Sequence, residues 1–262
     1  MNAVAARAGQ SDLAIRSMTG IVMAVVALGC VAYGQTPLWL LVSLASLAMV
    51  AEWSAMIGVT RGRMWLALAG AVVPLFLLQP HLDLPIRIGL YGLGAAMLLV
   101  LALTRRPRLA AGIGYAVLPT IALIYLHDQY DGIHLMLWTL AIVWATDIGA
   151  YFAGRSIGGP KLAPAISPNK TWAGLIGGTI AAIVVGVALV AWLDLPLRLA
   201  GFSGLLAVAG QGGDLYESAM KRRAGVKDSG RILPGHGGAM DRLDGVVPVA
   251  CLVALIVVSG IL

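Results

Sequence analysis

The sequence predicts an all-α, polytopic integral membrane protein of about nine transmembrane helices, folded as one membrane domain over residues 1–262. Three observations predict this. Mean hydropathy is +0.90, with 60% hydrophobic and only 11% charged residues. Apolar stretches of membrane-spanning length recur along the whole chain. With the N-terminus in the cytoplasm and each span crossing once, 16 of the 18 Lys and Arg fall on the cytoplasmic side. Only Arg87 and Arg198 fall outside, which is the bias expected of an inner-membrane protein of bacterial type.

The spans follow in order. Residues 18–33 come after Arg7 and Arg16, lack a clear cleavage site and read as a retained helix. Residues 38–56 are interrupted only by Glu52, near the cytoplasmic end, read as a snorkelling or paired residue. Residues 64–78 form a short span behind Arg61 and Arg63, and 88–103 run from Arg87 to the Arg105-Arg106-Pro-Arg108 turn. Residues 110–126 lead to an outer loop with Asp128 and Asp131; 135–152 then return to Arg155. Residues 171–193 open on Trp172, an interfacial anchor. Residues 197–213 end at Asp214, and 246–262 close the chain on the outer side. Losing one span would invert every later loop and destroy the charge bias. Cys30 and Cys251 both fall inside spans, where packing is their default role. Residues 1–134 read as scaffold helices and 135–262 as the part that carries chemistry. The net charge of +6 follows from topology and needs no nucleic-acid partner, although a basic face attracts anionic lipid headgroups.

Chemistry concentrates in three patches. In the first, Asp147-Ile-Gly-Ala-Tyr151, an acid sits at the edge of an apolar span, which is costly without a partner or ligand. It is a candidate for a second cation or for ordering a loop; pairing with Arg155 is the bland alternative. The second holds Ser167, Lys170 and Thr171 at the start of a helix, where backbone N–H groups, a Lys and hydroxyls favour a phosphate. Helix capping by the same residues is equally physical. Gly154 through Lys161 resembles a P-loop only loosely, because the adjacent Lys-Ser/Thr is absent.

The third and richest patch runs from Ser218 to Asp244, where 27 residues carry nine charged side chains. Asp214, Glu217, Ser218 and Lys221 share one helical face if the eighth span continues. Asp241 and Asp244 share another at the start of the last span, where the helix dipole tolerates them. Asp214, Asp228, Asp241 and Asp244 are candidate oxygen ligands for Mg²⁺, and Lys221, Arg222, Lys227 and Arg242 would neutralise a polyphosphate around it. His236, within Pro234-Gly-His-Gly-Gly, is either a proton-transfer group, a phosphate donor or a loop fastener.

At these residues the chain resembles the phosphatidate cytidylyltransferase family, also called CDP-diacylglycerol synthases. The likeness rests on Ser218, Met220-Lys221-Arg222, Lys227-Asp228, His236-Gly237-Gly238 and Asp241-Arg242-Leu243-Asp244, with spacings intact over 27 residues. The Asp147 and Ser167–Trp172 patches match in the same order, so the resemblance covers about residues 140 to 250. It implies transfer of a cytidylyl group from CTP to phosphatidate, with Mg²⁺ and room for a monovalent cation, in a homodimer. Asp228, Asp244, Lys227 and His236 would then be catalytic, and Ser167, Lys170, Thr171, Ser218, Lys221, Arg222 and Arg242 would bind substrate. Two rivals are a CTP-dependent polyprenol or lipid kinase and, from another class, a membrane transporter, for which charge at the midplane and paired interrupted helices would be expected.

Overall fold

The computed structural model describes residues 2–230, 232 and 237–261, with side chains from residue 18 onward. The chain is almost entirely helical: α1 (Asn2–Tyr33), α2 (Gln35–Met56), α3 (Arg61–Leu77), α4 (Ile86–Thr104), α5 (Pro107–His127), α6 (Gly132–Ser156), α7 (Trp172–Trp192), α8 (Ser203–Arg223), α9 (Met240–Leu243) and α10 (Val246–Val258). Between α6 and α7 stands an antiparallel hairpin of β1 (Lys161–Ala163) and β2 (Ser167–Thr171), pairing Lys161 with Thr171 and Ala163 with Ser167.

Among the described residues, five helices, α2, α4, α5, α6 and α7, are long and apolar enough to cross a membrane. The apolar part of α1 (Met18–Tyr33) and α10 are shorter, and α3 has 17 residues. The predicted span 197–213 takes a different form. Leu197–Phe202 is a 3-10 turn, and α8 starts at Ser203 and continues well beyond Gly213. Good helix formers carry it on, and Lys221, Arg222 and Arg223 in its last turn complement the negative end of the helix dipole.

The hub is α5, which packs against α2, α3, α4, α6 and α10. Its contact with α2 contains a small polar link. Ser46 Oγ donates to the Ala116 carbonyl at 2.6 Å and lies 2.7 Å from Thr120 Oγ1. Thr120 Oγ1 in turn donates to the Val42 carbonyl at 3.1 Å. At one end of this pair Trp53 Nε1 donates to the Arg108 carbonyl at 2.8 Å. At the other, His127 Nε2 lies 3.0 Å from the Val31 carbonyl, beside the sharp α1–α2 turn at Gly34 (φ +65°).

The tightest helix pair is α6 with α7, which meet along a seam of small residues. A Cβ on Gly177 would collide with Ala153 Cβ, one on Gly149 would come 2.5 Å from Ala181 Cβ, and one on Gly178 2.7 Å from the Thr146 carbonyl oxygen. With no side chain at these positions the backbones approach closely, so dispersion contacts hold the pair where lipid offers no hydrophobic drive. The seam sets Asp147 on α6 beside the hairpin that leads into α7.

Candidate active site

The charged residues of the second half gather at one end of the bundle. The C-terminal parts of α6 and α8, the hairpin and the start of α10 all meet there, on residues the motifs share. Lys170, in β2, reaches across to α8 and pairs with Asp214 at 2.5 Å. Ser218, one turn further along α8, donates from Oγ to Asp214 Oδ1 at 3.3 Å. Arg222 Nε donates to the Ile166 carbonyl at 3.2 Å, tying the end of α8 to the hairpin turn. The predicted helical face of α8 is therefore real, with its partners on the hairpin and α9.

Lys221 is the second anchor. Its Nζ donates to Asp241 Oδ1 at 2.6 Å and stands 3.2 Å from Glu217 Oε1. Glu217 is fully buried. Asp241 Oδ2 accepts from Ser229 N at 2.9 Å, Ser229 Oγ at 2.9 Å and Gly238 N at 2.8 Å. Burial alone would raise the Asp241 carboxyl, but the Lys221 bond and the two backbone N–H bonds outweigh it and hold it below the usual range. Both its oxygens are occupied by protein donors, so Asp241 fastens the loop.

Asp244 has the opposite character. One oxygen accepts from Gly245 N at 2.8 Å. Burial, and then the charge of Asp214, push its carboxyl up to about 7 despite that bond, with Asp147 adding to the effect. The region around Asp244 is thus short of positive charge, which is where a cation would be most favoured. Among the described residues, no three Asp, Glu, His or Cys side chains converge in ligand geometry.

The remaining predicted residues are dispersed. Lys227 and Asp228 lie exposed on the loop after α8, and a Cβ on Gly237 would stand 3.6 Å from Asp228 Cβ. Ser167 opens β2 and is half-buried. Thr171 is buried, and its Oγ1 accepts from Gly174 N at 3.0 Å as the N-cap of α7. His236 lies outside the described residues, as does the side chain of Arg231. Arg242 and Asp147 are the charged residues in the lining of a cavity of about 630 Å³. Its walls are otherwise mainly apolar and come from α1, α2, α5, α6 and α10, including Met49, Ala116, Leu123 and Val246. Sequence reasoning left two participants aside. Ser229 looks like an ordinary loop hydroxyl, and Glu52 reads as a snorkelling or paired acid with no partner named, yet the two meet each other, and Glu52 also takes the N–H groups of Ala239 and Met240.

A family model described as the cytidylyltransferase family matches residues 14–259. The phosphatidate cytidylyltransferase of Brucella suis biovar 1 (strain 1330) is 39% identical over 256 residues, covering 94% of this chain and 93% of its own. That of Brucella abortus biovar 1 (strain 9-941) matches with the same identity and coverage. The Staphylococcus aureus (strain COL) protein of that name is 43% identical over 141 residues, 53% of this chain and 54% of its own.

Proposed function

The chain belongs to the cytidylyltransferase family, and from that premise we propose that it transfers a cytidylyl group from CTP to phosphatidate within the membrane. The products are CDP-diacylglycerol and pyrophosphate. The observation that carries this reading is the junction of a charged cluster with an apolar cavity of about 630 Å³, at Asp147 and Arg242. A soluble polyanion and a lipid phosphate can meet only where such environments touch. The nine-span arrangement, with this end in the cytoplasm, accounts for the 16-to-2 distribution of basic residues.

In the reaction, an oxygen of the phosphatidate phosphate attacks the α-phosphorus of CTP. A P–O bond forms there, and the bond to the bridging oxygen breaks, releasing pyrophosphate. A phosphate monoester has its second pKa near ~6, so it is already a dianion near neutral pH and needs no strong base. The protein's task is positioning and charge neutralisation. Lys170 and Ser218 form one side of the phosphate cradle, with Ser167 at its edge. Lys221 and Arg222 extend it along α8, Lys227 reaches in from the loop, and Arg242 meets the lipid phosphate at the cavity mouth. Thr171 fixes the cradle by capping α7 rather than by binding phosphate.

Mg²⁺ is commonly held by one or two carboxylates, with waters and substrate phosphates completing the shell, so three converging protein ligands are not required. Asp244, whose carboxyl is raised by burial and then by Asp214, fits that pattern, and Asp214, paired with Lys170, would be the second carboxylate. Asp228, exposed on the loop after α8, would supply a further carboxylate for the ion, and Asp147 would hold a second cation or order the loop. When bound, the ion neutralises the triphosphate and the charge growing on the leaving pyrophosphate. The test is a membrane assay with phosphatidate and CTP labelled at the α-phosphate, with and without Mg²⁺. Label should enter the lipid fraction only with the metal. Transfer of a γ-label instead would identify a lipid kinase and overturn the proposal.

A further inference from the structure

Glu52 lies in α2, far from every motif residue in sequence, and is 4% exposed. Its Oε1 accepts from Ala239 N at 2.9 Å. Its Oε2 accepts from Met240 N at 2.9 Å and from Ser229 Oγ at 3.0 Å. Ala239 and Met240 open α9, so Glu52 satisfies N–H groups that a helix start leaves without partners and places a negative charge at the positive end of that turn.

The fit is close on all sides. A Cβ on Gly230 or on Gly238 would run into the Glu52 carboxylate, and one on Gly237 would stand 2.7 Å from Asp241 Oδ2. Ser229 Oγ sits between Glu52 and Asp241, with one proton to share between two carboxylates. Ser229 and the Gly238–Met240 turn are therefore held from both sides. Asp241 grips them from within the catalytic half, and Glu52 grips them from the half read as scaffold.

We infer that Glu52 is a positioning residue for the cytidylyl transfer: its carboxylate fixes Ser229, Ala239 and Met240 and so sets where Arg242 and Asp244 stand relative to Asp214 and Lys170. The inference rests on the proposed reaction. Lys170, Ser218 and Lys221 belong to β2 and α8, whereas the hydrogen bonds of Glu52 go to Ser229, Ala239 and Met240. CTP binding should therefore outlast loss of the link, while the geometry of the transfer should not.

The experiment uses the full-length protein in detergent–phosphatidate mixed micelles and the variant Glu52→Gln, which keeps the size but turns one acceptor into a donor facing donors. Expected are CTP binding at wild-type stoichiometry by calorimetry and a KM for CTP within about threefold. The kcat should fall about tenfold or more, as misplacement of reacting groups costs. The peptide holding Ala239 and Met240 should exchange its amide hydrogens faster, with α5 unchanged. A lowered CTP stoichiometry with loosening of α5 and α10 together would mark a purely structural role and overturn the inference. Wild-type kcat with unchanged exchange would overturn it equally. If Glu52→Gln does not accumulate, Ser229→Ala removes only the shared hydroxyl. A smaller loss of kcat with faster exchange at 239–240 supports the link, and no change in either refutes it. Wild-type protein that moves no label into lipid would sink the proposed reaction instead, and the exchange readout alone would then decide whether Glu52 holds the loop.

Discussion

Asp241 and Asp244 are three positions apart and chemically identical, yet their surroundings give them opposite work. Asp241 is held by Lys221 and three other donor bonds, whereas Asp244 is raised to about 7 by burial and by Asp214. The two should therefore respond differently to substitution. Asp241→Asn breaks a nearly buried ion pair and should cost about 3 kcal/mol, seen as a lower melting temperature together with lost activity. Asp244→Ala should abolish lipid labelling, to below about a tenth of wild type, as loss of a metal ligand does. It should leave the metal-free protein as stable as wild type or more so. The sign follows from linkage: a carboxyl raised on folding costs stability as pH climbs from the ordinary range to about 7, and costs it fully above. Melting at pH 8 with chelator checks this, and a marked drop would refute it. The sequence shows the acids but not this division, because residue type is legible and hydrogen-bond partners brought by a distant helix are not.

At the scale of elements, small residues decide more than polar links. Gly177→Val pushes a branched side chain into Ala153 on the α6–α7 seam, and overpacking of this kind costs about 1–3 kcal/mol or more. Ser46→Ala removes the link to Ala116 and Thr120, where interhelical bonds in membranes average only about 0.6 kcal/mol. Thermal melting in micelles should rank Gly177→Val well below Ser46→Ala, and the reverse order would refute the packing account. Spans with uninterrupted apolar runs, such as those of α4 and α7, were legible directly. The hairpin was not: Pro164 and Pro168 and the lack of alternation hide it. It is pinned by its ends, where Trp172 N donates to the Pro160 carbonyl at 3.1 Å. The extension of α8 was legible only as a condition on its polar face, since a hydropathy boundary marks where apolar residues stop and not where the backbone stops being helical.

For the whole molecule, the basic residues predict which end faces which compartment. With Cys30 and Cys251 replaced, a single Cys at Asp83, exposed between α3 and α4, should react with an impermeant maleimide on intact cells. A single Cys at Lys161, exposed in the hairpin, should react only after permeabilisation. The opposite pattern would invert the active site and remove its access to CTP. Net charge and hydropathy made the class of molecule readable at once. The cavity between α1, α2, α5, α6 and α10 was beyond reach, because its lining comes from helices whose adjacency only the fold decides.

The grip of Glu52 on the loop also has an evolutionary reading. Gly230 is confined to glycine by a carboxylate that arrives from another helix, and Gly238 by that carboxylate together with Ser229 Oγ, with 187 positions separating Glu52 from Ala239. A lineage that shortens the acid at 52 frees Gly230 to acquire a side chain, and one that fills Gly230 must first give up the acid, whereas Gly238 is also closed by Ser229 Oγ. These sites are thus expected to drift together, so that the history of the C-terminal motif is written partly in the second helix.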